Sequence, residues 1–213
     1  TQASSSAASD VYKRQRETLA RYDALADFSF AMQGLGSGAI SLYGNSKQKQ
    51  NILEEVSAGR MIAGFALSEP DAGSDVAAMN SKAFSTTEGW KVNGEKSWIS
   101  NGGIADYYTL FAKTSDLPGS GGISAFLLKA DNPGLSIAER QEVMAPHPLA
   151  RLHLKDAELS REALLGEEGK GFGIAMATLN IFRPTVGAAA LGFARRALDE
   201  ILHYSGDRKM YGQ

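Results

Sequence analysis

The chain has 213 residues, 43% of them apolar and 22% charged, with a formal net charge of −2. That is enough for one or two globular domains with a sizeable core, and it excludes a strong global field for nucleic acid or an anionic membrane. The absence of cysteine excludes disulfides, thiol chemistry and thiolate metal sites, and favours a reducing, cytoplasmic compartment.

The first ten residues, TQASSSAASD, are small and polar and lack an initiator Met, so residues 1–15 are expected to be a disordered tail or a processing scar. From about 14 to 58 the period is helical, with Leu19, Tyr22, Leu25, Ala26 and Phe30 near spacings of three and four. Asn45 or Ser46 is placed to cap a second helix, with Gln48 near its third position. Ile52, Leu53 and Val56 form its apolar stripe and Gly59 ends it. GLGSGA at 34–39 lies between helical segments without a preceding strand, which fails the context of a dinucleotide fingerprint.

From about 62 to 160 the pattern is that of strands. Asn93-Gly94 in KVNGEKSWIS is a strong local hairpin signal. YYTLFAKT at 107–114 and ISAFLL at 123–128 are apolar on both faces and should lie centrally, with SDLPGSGG as the loop between them. RLHLKD at 151–156 alternates, with Leu152 and Leu154 on one face. Strands succeed one another without crossover helices, which favours an antiparallel sheet over a Rossmann sheet. GEEGKGF at 166–172 reads as a flexible junction, and helical signals return from about 170 to 204, where Pro184 should kink or interrupt the helix. RKMYGQ follows this helix with no closing element, as expected of a fragment. The predicted organisation is α+β. The end of an N-terminal helical domain (16–60) precedes a central antiparallel β-barrel or sandwich domain (61–165), followed by the start of a C-terminal helical bundle (166–213). No apolar run approaches the roughly 18 residues that span a bilayer, so no membrane insertion is expected. His147, His153 and His203 have no metal-ligand spacing and read as exposed or structural.

Two stretches carry candidate chemistry. In GFALSEPDAGSD at 64–75, Pro70 breaks the strand, Gly73 permits close backbone approach, and Ser68 and Ser74 place hydroxyls on either side of the break. The plain alternative is a strand exit in which Asp71 and Ser74 hydrogen-bond locally. In EKSWISNGG at 95–103, Trp98 can stack on a planar ring and Ser100 can hydrogen-bond a heteroatom, or Trp98 is simply a core residue. In LNIFRP at 179–184, Asn180 and Arg183 share a helix face. Arg183 needs an anion there, whether a ligand or an internal carboxylate. Arg208 and Lys209 near the last helix end can complement its dipole.

The order FALSEPDAGSD, WISNGG, GEEGKGF, a helix with Arg183, then DRKMYG resembles the acyl-CoA dehydrogenase family of flavoenzymes over roughly residues 17–213. The resemblance implies a helical, a β and a four-helix-bundle domain, FAD as cofactor, and α,β-dehydrogenation of an acyl-CoA thioester to the trans-2-enoyl-CoA. It implies that Phe65, Leu67, Ser68, Gly73 and Ser74 line the flavin, with Ser68 where the family often has Thr. Ser74 matches a position that contacts the CoA part of the substrate. Trp98, Ile99 and Ser100 match the segment packed on the flavin, Ser100 again replacing Thr. Arg208, Lys209 and Met210 match a stretch that reaches the FAD of a neighbouring subunit, which implies a homo-oligomer, dimer or tetramer. Arg183 matches an arginine associated with CoA, with Asn180 in place of its usual Asp partner. The family usually passes electrons to an electron-transfer flavoprotein. No glutamate here matches the family's catalytic base, which is expected beyond Gln213, and the fragment alone is expected to be inactive. Alternatives are an acyl-CoA oxidase-type flavoenzyme and a non-catalytic relative that binds acyl-CoA or a partner on the same fold.

Overall fold

The structure, a computed structural model, describes residues 2–212, with side chains from residue 10 onward. Thr1 and Gln213, the outermost residues of the expected tail and C-terminal segment, lie outside the described residues. Three helices come first: α1 (Gln2–Tyr22), α2 (Ala24–Tyr43) and α3 (Ser46–Ser57). Eight strands follow: β1 (Ala63–Ala66), β2 (Lys82–Ser85), β3 (Gly89–Ser100), β4 (Tyr107–Lys113), β5 (Ile123–Lys129), β6 (Leu135–Gln141), β7 (Leu149–Ser160) and β8 (Leu164–Leu165). The last element is α4 (Gly171–Asp207). The chain divides into a helical unit, residues 1–31 with 180–213, and a sheet unit, residues 32–179.

In the helical unit, residues 2–15 are not a tail but most of α1. Tyr12 and Arg16 supply the reason. Arg16 is buried and donates twice to the Asp27 carboxylate, at 2.9 and 2.6 Å, and once to Thr185 Oγ1 at 3.1 Å. A buried guanidinium persists only when its donors are met in this way. Tyr12 stacks on Phe30 with centroids 4.8 Å apart and meets Phe182 edge-on at 5.4 Å. Burial, set against the nearby Arg16, pushes its phenol up to about 12. Pro184 does not interrupt α4. Its missing N–H falls opposite the carbonyl of Asn180, an exposed residue, and Thr185 Oγ1 donates to Phe182 O at 2.6 Å. One expectation is corrected here: by length and composition α4 is apolar enough to cross a membrane, with a mean hydropathy of 1.3 over 18 residues. Its second half nevertheless pairs with α1 through Arg195–Glu17 and Asp199–Arg21.

In the sheet unit, α3 starts on a reciprocal cap: Gln48 N donates to Asn45 Oδ1 and Asn45 N to Gln48 Oε1, each at 2.9 Å. Gly59, at φ 71°, follows its end. The sheet has the order β6-β7-β3-β2-β4-β5-β8, with β1 joined to β4, and it does not close into a barrel. Most pairs are antiparallel; β4 pairs in parallel with β1 and, at Lys113 and Lys82, with β2. β4 and β5 are central and almost wholly buried, as their two apolar faces predict. One face carries Trp90, Val92, Leu110, Phe126, Leu152 and Leu154; the other packs Phe111, Ile123 and Leu165 with Ile40 and Ile174 of the helices.

Two glycine readings change. GLGSGA lies inside α2, where Gly36 permits contact with β1: a Cβ there would stand 2.5 Å from Ala63 Cβ and 2.9 Å from Gly64 N. Asn93-Gly94 is not a hairpin, because β3 runs through it. The register shift beside it, between Val92 and Gly94, comes from an extra residue in β7, where Asp156 takes φ 49°; Gly94 itself is at φ 150°, and a Cβ there would stand 2.3 Å from Ser81 Oγ. The hairpin lies earlier, where Thr86 N donates to Gly89 O at 2.9 Å. The pleat on either side outcompetes the local turn signal because both flanks of Asn93-Gly94 pair with β7.

A side chain at position 36 must therefore push α2 off β1. Gly36→Val is expected to lower unfolding free energy by about 1–3 kcal/mol, as overpacking does. Urea denaturation measures this, and an unchanged midpoint would show that the contact is not constrained.

Candidate functional site

β1 ends at Ala66, and at Pro70 the chain turns back. Glu69 N donates to Ala72 O at 3.1 Å and Ala72 N to Glu69 O at 3.2 Å, closing a tight hook. The Glu69 side chain points inward, 5% exposed as a residue, and accepts from Asn80 N at 2.5 Å and Ser81 N at 3.1 Å. Its counter-ion is Lys96 of β3, which is fully buried. Lys96 Nζ stands 2.8 Å from Glu69 Oε1 and 3.2 Å from Leu67 O. Burial pushes the Glu69 carboxyl up, but Lys96 and the bonds from Ser81 and Asn80 outweigh it and hold the group below the ordinary carboxylate range. Burial also pulls the Lys96 ammonium down, against the opposing pull of Glu69.

Beside this pair the two expected stretches meet: Ser97 N donates to Ser68 O at 2.9 Å. β3 then departs from its pleat. Its register with β7 shifts between Lys96 and Ile99, and Trp98 takes φ 59°. The shift turns the indole outward, 59% exposed, and keeps Ile99 in the core. Gln141 of β6 fills the gap in the ladder: Trp98 N donates to its Oε1 at 2.8 Å, and its Nε2 donates to Ser97 Oγ at 3.2 Å. Past the tip, Asn101 at φ 60° donates through Nδ2 to Ala63 O at 2.8 Å, tying the end of β3 to the start of β1. His147 reaches the same tip, with Nε2 2.9 Å from Ser100 Oγ. Burial lowers the pKa of its ring.

The sequence-predicted residues thus separate by part. Phe65 is half-buried and packs on Phe111 with centroids 5.0 Å apart, while Leu67 and Ile99 are core side chains, so these last two offer backbone only. Ser68 and Ser100 are half-buried, and the Ser68 hydroxyl makes no hydrogen bond among the described residues. Trp98 is not a core residue; that role falls to Trp90, 5% exposed. Gly73 and Ser74 are exposed; Gly73 has neither a positive φ nor a neighbour that excludes a side chain, and Asp71 and Ser74 make no local side-chain bond among the described residues. Asn180, Arg183, Arg208, Lys209 and Met210 belong to the helical unit, all exposed. Among the described residues Arg183 has no ion pair, contrary to the internal-carboxylate reading, because its position on α4 is exposed. A cleft of about 1060 Å³ lies elsewhere in the sheet unit, lined by Asn45, Lys47, Tyr107, Lys129 and Glu158 among others, and contains none of the predicted site residues. No group of three His, Asp or Glu residues among those described is placed to hold a metal ion.

Sequence reasoning missed Lys96, Gln141 and His147. For Lys96 a signal existed: positions 90, 92, 94 and 96 alternate inward from the buried Trp90 and Val92, and a lysine there demands a buried acid. For Gln141 and His147 there was none, since their role depends on the pairing of β6 and β7 with β3.

Family models described as acyl-CoA dehydrogenase, middle domain, and acyl-CoA dehydrogenase, C-terminal domain, match residues 64–157 and 169–213. A probable acyl-CoA dehydrogenase, FadE25, of Mycobacterium tuberculosis is 38% identical over 199 residues, which cover 92% of this chain and 51% of that protein. The structure of butyryl-CoA dehydrogenase from Megasphaera elsdenii superposes with a TM-score of 0.89 at 36% identity, covering 93% of this chain and 53% of that one. A structure described as PigA with FAD and proline gives a TM-score of 0.88 at 30% identity, with coverages of 93% and 53%. The chain spans about half the length of the curated relatives it matches.

The Lys96–Glu69 pair makes two predictions. Lys96→Met strands a buried carboxylate and is expected to lower stability by about 3–5 kcal/mol in urea denaturation; a loss below about 1 kcal/mol would show that the pair contributes little. Because the folded-state pKa of Glu69 lies below its unfolded value, its contribution is present above the unfolded pKa and lost as pH falls through the folded one. Stability measured against pH should therefore fall on the acid side, and Glu69→Gln should remove that part of the slope.

Proposed function

Since the chain belongs to the acyl-CoA dehydrogenase family, we propose that it forms the flavin- and thioester-binding part of an enzyme that desaturates an acyl-CoA to the trans-2-enoyl-CoA. In this reading the hook after β1 and the tip of β3 grip one edge of a flat ring. The observation that carries it is the join between those segments, the 2.9 Å bond from Ser97 N to Ser68 O, beside which stands an outward-turned indole. FAD fits what is present there. The Trp98 face supplies a stacking surface, the Ser68 hydroxyl has no protein partner among the described residues, and Ser100 offers a second hydroxyl.

Each residue then has a task. Phe65, Leu67 and Ile99 fix the backbone of the two tips from within the core, Ser68 and Ser100 meet the polar edge of the ring, and Trp98 covers its face. Gly73, with open space around it, lets a ligand approach the hook, and Ser74 faces the CoA part of the substrate. Asn180 and Arg183, exposed on α4, take the CoA, the arginine as a fixed cation for phosphate. Arg208, Lys209 and Met210, exposed at the end of α4, serve the cofactor of a second subunit. When bound, FAD accepts the electron pair that leaves with the β-hydrogen. The chain's contribution is orientation: rigid tips hold ring and thioester so that the α- and β-hydrogens face their acceptors. No residue of this chain is assigned as the base that takes the α-proton.

The test is FAD retention by the whole protein that carries these residues. The double variant Trp98→Ala/Ser100→Ala should bind FAD about 10- to 100-fold more weakly, since a stacking face and a hydrogen bond go together. Anaerobic addition of an acyl-CoA to the unsubstituted protein should bleach the flavin absorbance. Unchanged flavin affinity in the double variant would remove the assignment of the tips; flavin binding without bleaching would favour a non-catalytic relative.

A further inference from the structure

We propose that His147 is a positioning residue for Ser100, setting whether the hydroxyl at the β3 tip meets the flavin edge as a donor or as an acceptor. The inference rests on the flavin reading above and adds a residue to it. Three observations place His147 for this task. Its Nε2 stands 2.9 Å from Ser100 Oγ, hydrogen-bonding distance for an imidazole and a hydroxyl. Its backbone is held on both sides: it lies between Pro146 and Pro148, whose rings fix φ, and its own N–H donates to Ala145 O at 2.7 Å. Finally, Pro148 O accepts from Asn101 N at 2.8 Å, and Ser100 pairs with Leu149 in the β3–β7 register. The loop that carries His147 is therefore locked to the residue after Ser100, and the ring is aimed rather than loosely placed.

The chemistry of the pair follows from the ring nitrogen. A hydroxyl has one hydrogen and two lone pairs. If Nε2 carries no proton, it accepts the Ser100 hydrogen, and the oxygen turns lone pairs outward. If Nε2 carries a proton, it donates to the oxygen, and the Ser100 hydrogen is free to point outward. Half-burial lowers the ring's pKa and so favours the neutral imidazole, in which one nitrogen is an acceptor. Ser68 has no such neighbour among the described residues, so of the two hydroxyls only Ser100 has its direction imposed by the protein.

A double-mutant cycle on the FAD-binding protein tests this, reading FAD dissociation constant, the shape and position of the flavin absorption band, and the unfolding midpoint. His147→Phe should weaken FAD about 3- to 10-fold and shift the flavin band, as loss of one oriented hydrogen bond does. His147→Gln, whose amide can reach Ser100 from the same side, should recover most of the affinity and the band. In the Ser100→Ala background, His147→Phe should have little further effect on either, with the unfolding midpoint near that of Ser100→Ala. Additive losses, or a flavin band indifferent to His147→Phe, overturn the proposal and leave the flavin reading standing. A His147→Phe loss that appears only in the unfolding midpoint makes His147 a loop staple and overturns it too. Failure of the unsubstituted protein to bind FAD overturns the flavin reading itself, and this proposal with it.

Discussion

A lysine with no solvent exposure holds the strand exits together. Removing an ammonium from water costs several kcal/mol, and at Lys96 a carboxylate at 2.8 Å and a carbonyl at 3.2 Å stand in for its hydration. The partner carboxylate is shared. Glu69 also accepts from the backbone of Asn80 and Ser81, so the exit of β1, the approach to β2 and the end of β3 converge on one side chain. A buried ionic group of this kind adds little stability compared with an apolar core of the same volume. What it supplies is direction, because its geometry is satisfied in one arrangement of the three segments.

That arrangement explains the irregular end of β3. Inward alternation brings Trp90, Val92 and Lys96 to the core, and a regular continuation would bury Trp98. The strand instead slips by one residue, Trp98 adopts a left-handed backbone and Ile99 takes the core position. A bulky residue at positive φ is held at a cost of order 1–3 kcal/mol and persists where the surroundings impose it. Here Gln141 satisfies the displaced N–H, and the Asn101 amide is tied to Ala63. The consequence is an indole held outward at a strand tip that also carries the half-buried Ser100.

Much of this was legible in the chain. The capping box at Asn45 and Gln48, the central strands at Tyr107 and Ile123, the alternation of Leu152 and Leu154, and the return to helix after Gly171 all rest on local periodicity and side-chain chemistry. The motif order from Phe65 to Arg208 carried the family. Three local signals misled. Asn93-Gly94 favours a turn in isolation but runs through a strand paired on both sides of it, and the bulge opposite falls in β7. The small polar residues before Val11 read as a tail but continue a helix whose next turns stack Tyr12 on Phe30 and bury Arg16. The three glycines of GLGSGA suggested an interruption, whereas the missing side chain of Gly36 lets α2 touch β1.

The sequence alone determined which segments are helix or strand, which family the chain resembles and which hydroxyls and rings belong to its motifs, because these depend on neighbours within a few residues. Only the tertiary structure decided that Glu69 faces Lys96 across 27 positions, that Gln141 and His147 serve a tip more than 40 residues earlier, and that Trp98 faces out while Trp90 faces in. Those outcomes depend on strand order and register. A shift of one residue reverses every side chain on a strand, so no local reading can foresee which face a motif will present.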